Sequence, residues 1–294
     1  MRLVSFTDDA GDRLGVEASA GRIWSSRALG PGLPGSMAEL LAGGRTALSA
    51  LRSAAHSAAA AGRPGDVDPQ RRIAPVPRPG KIVAVGLNYR DHVEEQGGKV
   101  KVPESPVLFA KFPTAVVGDG ATVEWDPQLT EAVDLEAELG VVIGHTARRV
   151  GEREALEHVL GYTCVNDVTA RDLQYGDRQF VRGKSLDTFC PMGPALVTTD
   201  EIPDPGALAV RSWRNDEPMQ DSNTSHLIFS VPFLVAFCSQ AFTLEPGDVI
   251  CTGTPSGVGW FREPRVLMRE GDVMSVEVEG IGRLTNPCRE VRAD

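Results

Sequence analysis

Long apolar runs are missing from this chain. The longest, Ile228 to Phe242, contains Pro232, Ser239 and Gln240 and falls short of the roughly 20 residues that a membrane-spanning helix needs. The opening residues, Met1 to Asp9, carry acids where a secretory signal needs an apolar stretch. Positive charge is in short supply: 30 Lys and Arg against 40 Asp and Glu leave a net charge of -10. That balance argues against nucleic acid or an anionic membrane as partner, since neither would gain counterion release or surface attraction. It leaves room for small anionic metabolites, because a bound metal or local positive charge overcomes the global sign. The five cysteines (Cys164, Cys190, Cys238, Cys251 and Cys288) are scattered, odd in number and without a Cys-x-x-Cys pair, so reduced thiols are expected. A soluble, cytoplasmic protein is the expectation.

Several catalytic signatures are lacking too. Gly183-Lys184-Ser185 ends like a phosphate-binding loop, but Arg178 stands where the first glycine belongs. The stretch Gly253-Thr-Pro-Ser-Gly-Val-Gly259 has neither the G-x-G-x-x-G order nor the G-x-S-x-G nucleophile pattern. No His-Glu-x-x-His zinc signature occurs.

What is present is an ordinary globular composition, 41% hydrophobic and 24% charged, which excludes wholesale disorder. Two strand-like pieces, around Leu3–Phe6 and Leu14–Ala18, precede an Ala-rich helical stretch from Met37 to Ala61. Arg63-Pro64-Gly65 and Pro75 to Gly80 then punctuate the chain like a linker, which places a small N-terminal domain at residues 1–75 and a larger one at 76–294. Beyond the linker, Lys81–Gly86, Val133–Ile143, Tyr162–Val165, Asp248–Thr252, Val273–Glu279 and Gly282–Asn286 read as strands. Asn88–Gln96 and Glu152–Leu160 read as helices, and Ser230 caps a third with Pro232 in its first turn. Few strands are separated by crossover helices, so a doubly wound sheet is not expected.

Three segments can carry chemistry. In Val133 to Ile143, alternation puts Asp134, Glu136 and Glu138 on one face of a strand. Adjacent carboxylates repel unless they are solvated or bridged by a cation; seen alone, a solvated polar face is the plainer explanation, although Gly140-Val-Val-Ile-Gly144 takes the strand inward. Asp167 follows a buried-looking strand and alone reads as a turn residue. With Glu136 and Glu138 it makes three oxygen ligands of the kind magnesium or manganese selects. On the predicted helix 88–96, His92 and Glu95 are three apart and hence side by side, where a carboxylate orients an imidazole to take a proton from water. A surface histidine with a chance acidic neighbour is the plainer alternative.

The blocks Val85–Glu95, Asp134–Gly144, Asn166–Gln174, Arg182–Pro194, Pro246–Gly259 and Glu279–Pro287 together resemble the fumarylacetoacetate hydrolase family, in family order over about residues 80–288. Residues 1–75 are similar to the variable N-terminal domain of many bacterial members. The resemblance implies an α+β fold, mainly β, built as a mixed β-sandwich roll with a small N-terminal α+β domain and paired as a homodimer. It implies magnesium or manganese on Glu136, Glu138 and Asp167. It also implies Lys184 as active-site lysine, Thr254 as a contact of the substrate carboxylate, and Arg171 and Gln174 as pocket residues. His92 and Glu95 match the water-activating dyad of hydrolytic and decarboxylating members, carried on a lid that orders with substrate. No ligand is missing. The implied substrate is a small 2-oxo acid, and the expected reaction is C–C hydrolysis of acylpyruvate-type 2,4-dioxo acids. Oxaloacetate decarboxylation, another lyase reaction or 2-hydroxydienoate isomerisation could run on the same site. A non-catalytic metabolite binder is the rival from another class, and the intact dyad and triad speak against it. The substrate side chain is left to pocket walls expected from the lid and the N-terminal domain.

Overall fold

The computed structural model describes residues 1–18, 21–98 and 100–292. The first 73 residues form β1 (Arg2–Asp8), β2 (Gly11–Glu17), β3 (Ile23–Ser25), α1 (Ser26–Leu29), α2 (Met37–Ala60) and β4 (Arg72–Ile73). The Ser36 hydroxyl caps α2 by accepting the Glu39 N–H at 3.2 Å, while the Glu39 carboxylate reaches back to the Gly35 N–H at 2.8 Å. Leu40 and Leu51 on the buried side of α2 each contribute about 1.5–3 kcal/mol by leaving water.

The remainder begins with β5 (Ile82–Gly86), α3 (Arg90–Glu95), β6 (Val107–Lys111), β7 (Val116–Val117), β8 (Val123–Trp125), β9 (Val133–Asp134) and β10 (Ala137–Ile143). Next come β11 (Val159–Asn166), β12 (Thr169–Ala170), α4 (Arg171–Gly176), α5 (Val181–Lys184) and β13 (Cys190–Thr198). The chain closes with β14 (Ala209–Arg214), β15 (Glu217–Asn223), α6 (Val231–Ala241), β16 (Val249–Cys251), β17 (Val273–Val278) and β18 (Gly282–Glu290).

A large mixed sheet runs β3-β2-β1-β13-β11-β10-β16-β5-β6, with β4 beside β1 and β7 beside β13. A second sheet, β15-β14-β17-β18-β8, packs on one face of it. Ala137, Leu139, Val141 and Ile143 of β10 enter the core between the sheets, whereas Val142 enters the core on the opposite face, under α2. A strand covered on both faces is apolar throughout, which is why Gly140-Val-Val-Ile143 follows the acidic segment. This is the expected mainly-β α+β sandwich. Strand β1 pairs with β13 (Leu3 opposite Leu196), and Leu3, Leu40 and Leu51 share a core with Val165 and Leu196. Residues 1–75 therefore join residues 76–294 through a common sheet.

Two expected elements differ. Val133–Ile143 is not one strand: it breaks at Leu135 and Glu136, because the Glu136 N–H turns to the Asn166 side-chain oxygen at 3.0 Å instead of a neighbouring strand. Glu152–Leu160 is not an α-helix. Only a single 3-10 turn forms at Ala155–His158, and Val159 and Leu160 are claimed by β11, where the sheet buries them.

Candidate active site

The broken acidic segment forms the floor of a pocket. Glu136 lies in the break and Glu138 at the second position of β10, while Asp167 is the first residue past β11. The Asp167 N–H donates to the Glu136 carbonyl at 2.9 Å, so the backbone itself ties two of these acids together. All three are buried, and one oxygen from each lies within 4.8 Å of the others. Around them stand Lys184, Arg171, Gln174, Thr254 and His92, lining one cavity of about 160 Å3. The structure thus brings eight of the nine expected residues to one cavity. Glu95 is the ninth and stands behind His92.

Buried charges here are paired, as they must be. Lys184 Nζ reaches Glu136 at 2.8 Å and Asp167 at 2.7 Å, and Arg171 Nη1 reaches Glu136 at 2.6 Å. Burial alone would raise the Glu136 pKa, but Lys184 and Arg171 overcome it and hold the carboxyl at about 2. Burial likewise works against the Lys184 ammonium, yet Asp167 and Glu136 push its pKa above the ordinary lysine value. Glu138 is different. It accepts one hydrogen bond, from the Gly253 N–H at 3.0 Å, and forms no ion pair among the described residues. Burial, with Asp167 and Glu136 nearby, drives its pKa well above the carboxylate range. Three carboxylates in one buried cluster, one of them without a cation, fit a hard divalent ion as donor set and charge.

Across the cavity, α3 carries the dyad. His92 Nδ1 lies 2.6 Å from Glu95 Oε1, and the other Glu95 oxygen accepts the Gly257 N–H at 2.8 Å. A carboxylate at Nδ1 places the hydrogen there and leaves Nε2 as the lone-pair nitrogen. Thr254 is placed at the cavity, but its hydroxyl is engaged: it donates to the Ala137 carbonyl at 3.0 Å and accepts from Gln220 at 2.7 Å. The pocket walls come from α3, β6, α4 and the segment around Phe261. None of the lining residues belongs to residues 1–75, contrary to expectation.

Sequence reasoning missed Lys111. At the end of β6 its wholly buried ammonium donates to Asp167 at 2.6 Å and to the Val168 and Lys184 carbonyls. The signal was a lone lysine inside Val107-Leu-Phe-Ala-Lys-Phe112, where a buried cation demands a buried acid.

No helix among the described residues is long and apolar enough to cross a membrane. Among known proteins, "Oxaloacetate tautomerase fahd2, mitochondrial" of Xenopus laevis is 41% identical over 292 residues, covering 98% of this chain and 90% of the relative. A putative HpcE protein from Mycobacterium smegmatis superposes with a TM-score of 0.84 at 37% identity over 100% of both chains. A maleylpyruvate hydrolase from Sphingobium sp. SYK-6, solved with manganese (II) ion and pyruvate, gives 0.78 at 30% identity over 99% of this chain and 100% of that one. The fumarylacetoacetate (FAA) hydrolase C-terminal model matches residues 81–289, the span that holds every residue of the cavity. With that match over more than half of its length, the chain belongs to the fumarylacetoacetate hydrolase family.

Proposed function

We propose that this chain is a divalent-metal-dependent enzyme that moves a proton on a small 2-oxo acid, by keto–enol tautomerisation of oxaloacetate. The observation that carries the reading is one small cavity with a buried carboxylate triad on its floor and an oriented imidazole across from it. A cavity of about 160 Å3 suits a few-carbon acid rather than the drug-sized ligands of roughly 300–1,000 Å3 pockets. The tautomerase relative supports oxaloacetate as that acid.

Magnesium or manganese, held by Glu136, Glu138 and Asp167, would supply positive charge against the developing enolate oxygen. The protein supplies the rest. Glu95 fixes the His92 ring through Nδ1, and Nε2 takes a proton from C3 of the substrate, then returns it to the 2-oxo oxygen. General-base help of this kind contributes roughly 10²–10⁴ in rate. Lys184 and Arg171 keep Glu136 ionised beneath the reacting acid. The side-chain amide of Gln174 offers N–H donors to a substrate carboxylate, its oxygen being taken by Arg171 at 3.1 Å.

C–C hydrolysis of an acylpyruvate is the second reading, favoured by the tight His92–Glu95 contact. The same Nε2 would deprotonate a water that attacks the C4 carbonyl, giving pyruvate and a carboxylic acid. Parallel assays with manganese separate the two. Faster loss of the oxaloacetate enol absorbance, abolished by a chelator and restored by the ion, supports tautomerisation. Acylpyruvate cleavage without that acceleration puts hydrolysis in its place. The reading includes a homodimer, supported by Phe112, 52% exposed just past the free edge strand β6. Light scattering at about twice the chain mass would agree with it.

A further inference from the structure

Asp134 is wholly buried, yet no step above uses it. Its carboxylate accepts five hydrogen bonds. Oδ1 takes the Leu135 N–H at 3.0 Å and the Gly259 N–H at 2.9 Å. Oδ2 takes the Trp260 N–H at 3.0 Å and two guanidinium N–H groups of Arg171, at 2.9 and 2.8 Å. Such charge-assisted bonds fix both partners strongly. One partner, Arg171, holds Glu136 on the floor. The other, the 257–261 segment, holds α3: the Gly257 N–H docks on Glu95, and the Phe261 ring stands edge-on to His92 at 5.9 Å.

The segment can aim its N–H groups this way because side chains are absent at two points. A Cβ at Gly259 would stand 1.8 Å from the Val266 carbonyl oxygen and 2.8 Å from Asp134 Oδ1. Gly257 has φ +99°, and its Cβ would meet the Met219 carbonyl oxygen at 2.3 Å. Arg262 closes the loop by donating to the Gly257 carbonyl at 3.2 Å.

We propose that Asp134 is a positioning residue that couples the floor of the site to the His92–Glu95 pair, bracing Arg171 with one set of bonds and the 257–261 segment with the other. The charge is needed as well as the shape. An asparagine offers one oxygen and one NH2 group, so whichever way its amide turns, at least two of the five donors face another donor.

Hydrogen exchange and ligand binding test this without turnover, so the result is independent of the proposed reaction. In D134N, exchange in residues 90–98 should quicken roughly tenfold or more, the effect of losing a charged hydrogen-bond partner, and pyruvate binding with manganese should weaken about tenfold. Exchange in β10 and β11 should stay slow. The idea fails if 90–98 keeps wild-type protection, or if exchange rises equally across the whole chain. Should D134N not fold, G257A carries the test, because its Cβ would meet the Met219 carbonyl oxygen at 2.3 Å and displace the segment without touching Asp134 or Arg171. It should speed exchange in 90–98 while pyruvate affinity stays within about twofold. Loss of pyruvate binding with 90–98 still protected would overturn the coupling.

Discussion

The two sides of the cavity are built by different physics. On the floor, four buried carboxyl groups (Asp134, Glu136, Glu138 and Asp167) face three buried cations (Lys111, Arg171 and Lys184), and burial favours the protonated form of Glu138, the one without a cation. The opposite side hangs on few contacts. Helix α3 is six residues long with no side-chain cap at Tyr89, and it is held by Asn88 to Phe229 and Thr252, by Asp91 to Ser222 and by Glu95 to Gly257. A floor of that kind holds its shape through its own ion pairs and suits a divalent cation. The α3 side is tied at these few points, and its placement is what sets the base. Substitutions on the two sides should therefore fail differently.

The largest effect belongs to the floor. Chelation, or Glu138→Ala, should remove activity altogether, with calorimetry detecting no manganese binding by the variant. Protons report on the same carboxyl. Its folded pKa lies above the ordinary 4.5, so the metal-free fold loses stability as pH rises from that value through the raised one. The ion has to displace that proton, so manganese affinity should climb over the same window and flatten once Glu138 is ionised. Affinity independent of pH there would mean that Glu138 is not a ligand. On the α3 side, His92→Ala should lose roughly 10²–10⁴ in kcat yet bind manganese like the wild type. Its thermal midpoint should barely move. Equal loss of metal and rate would erase the distinction between the two sides.

Lys111→Met sharpens the contrast from below. Removing one partner of a buried ion pair typically costs about 3–5 kcal/mol, because a carboxylate oxygen is left alone in the interior. A fall of that size in denaturant stability is expected, whereas Glu94→Ala on the exposed side of α3 should cost almost nothing. Added manganese should restore part of the Lys111→Met loss, since it pairs Asp167 from the other side. A variant as stable as the wild type would mean that Asp167 does not depend on Lys111.

Much of the floor was readable because charge in an apolar context is a local signal: Glu136 and Glu138 run straight into Gly140-Val-Val-Ile143, and Asp167 ends an apolar strand. Strands β5, β10, β11, β16 and β17 were legible for the same reason, as short apolar runs between glycines. Strand β13 was not. Cys190-Pro-Met-Gly-Pro194 carries the residues that usually mark loops, yet tertiary pairing with β1 and β11 makes it central. Lys111, and the role of Asp134 beyond its place on the acidic face, escaped because the partners are distant in sequence, 56 residues away in one case and 125 in the other. Arg171, Gln174, Lys184 and Thr254 carry no pattern of their own and came only through family resemblance.

The smallest prediction concerns the end of α3. Gly97 sits at φ +64° with open space where a Cβ would go, so Gly97→Ala introduces no clash and only the left-handed backbone penalty of roughly 1–2 kcal/mol. That cost falls on the segment behind the dyad, not on the core. Global stability should drop by no more than that amount, and less if the end of α3 simply frays. Rate or KM should worsen about three- to tenfold as the placement of His92 loosens. Manganese affinity should not change, because a side chain at residue 97 enters open space rather than the floor. A weaker metal site in Gly97→Ala would show that the two sides are one mechanical unit, and that the contrast drawn between them is mistaken.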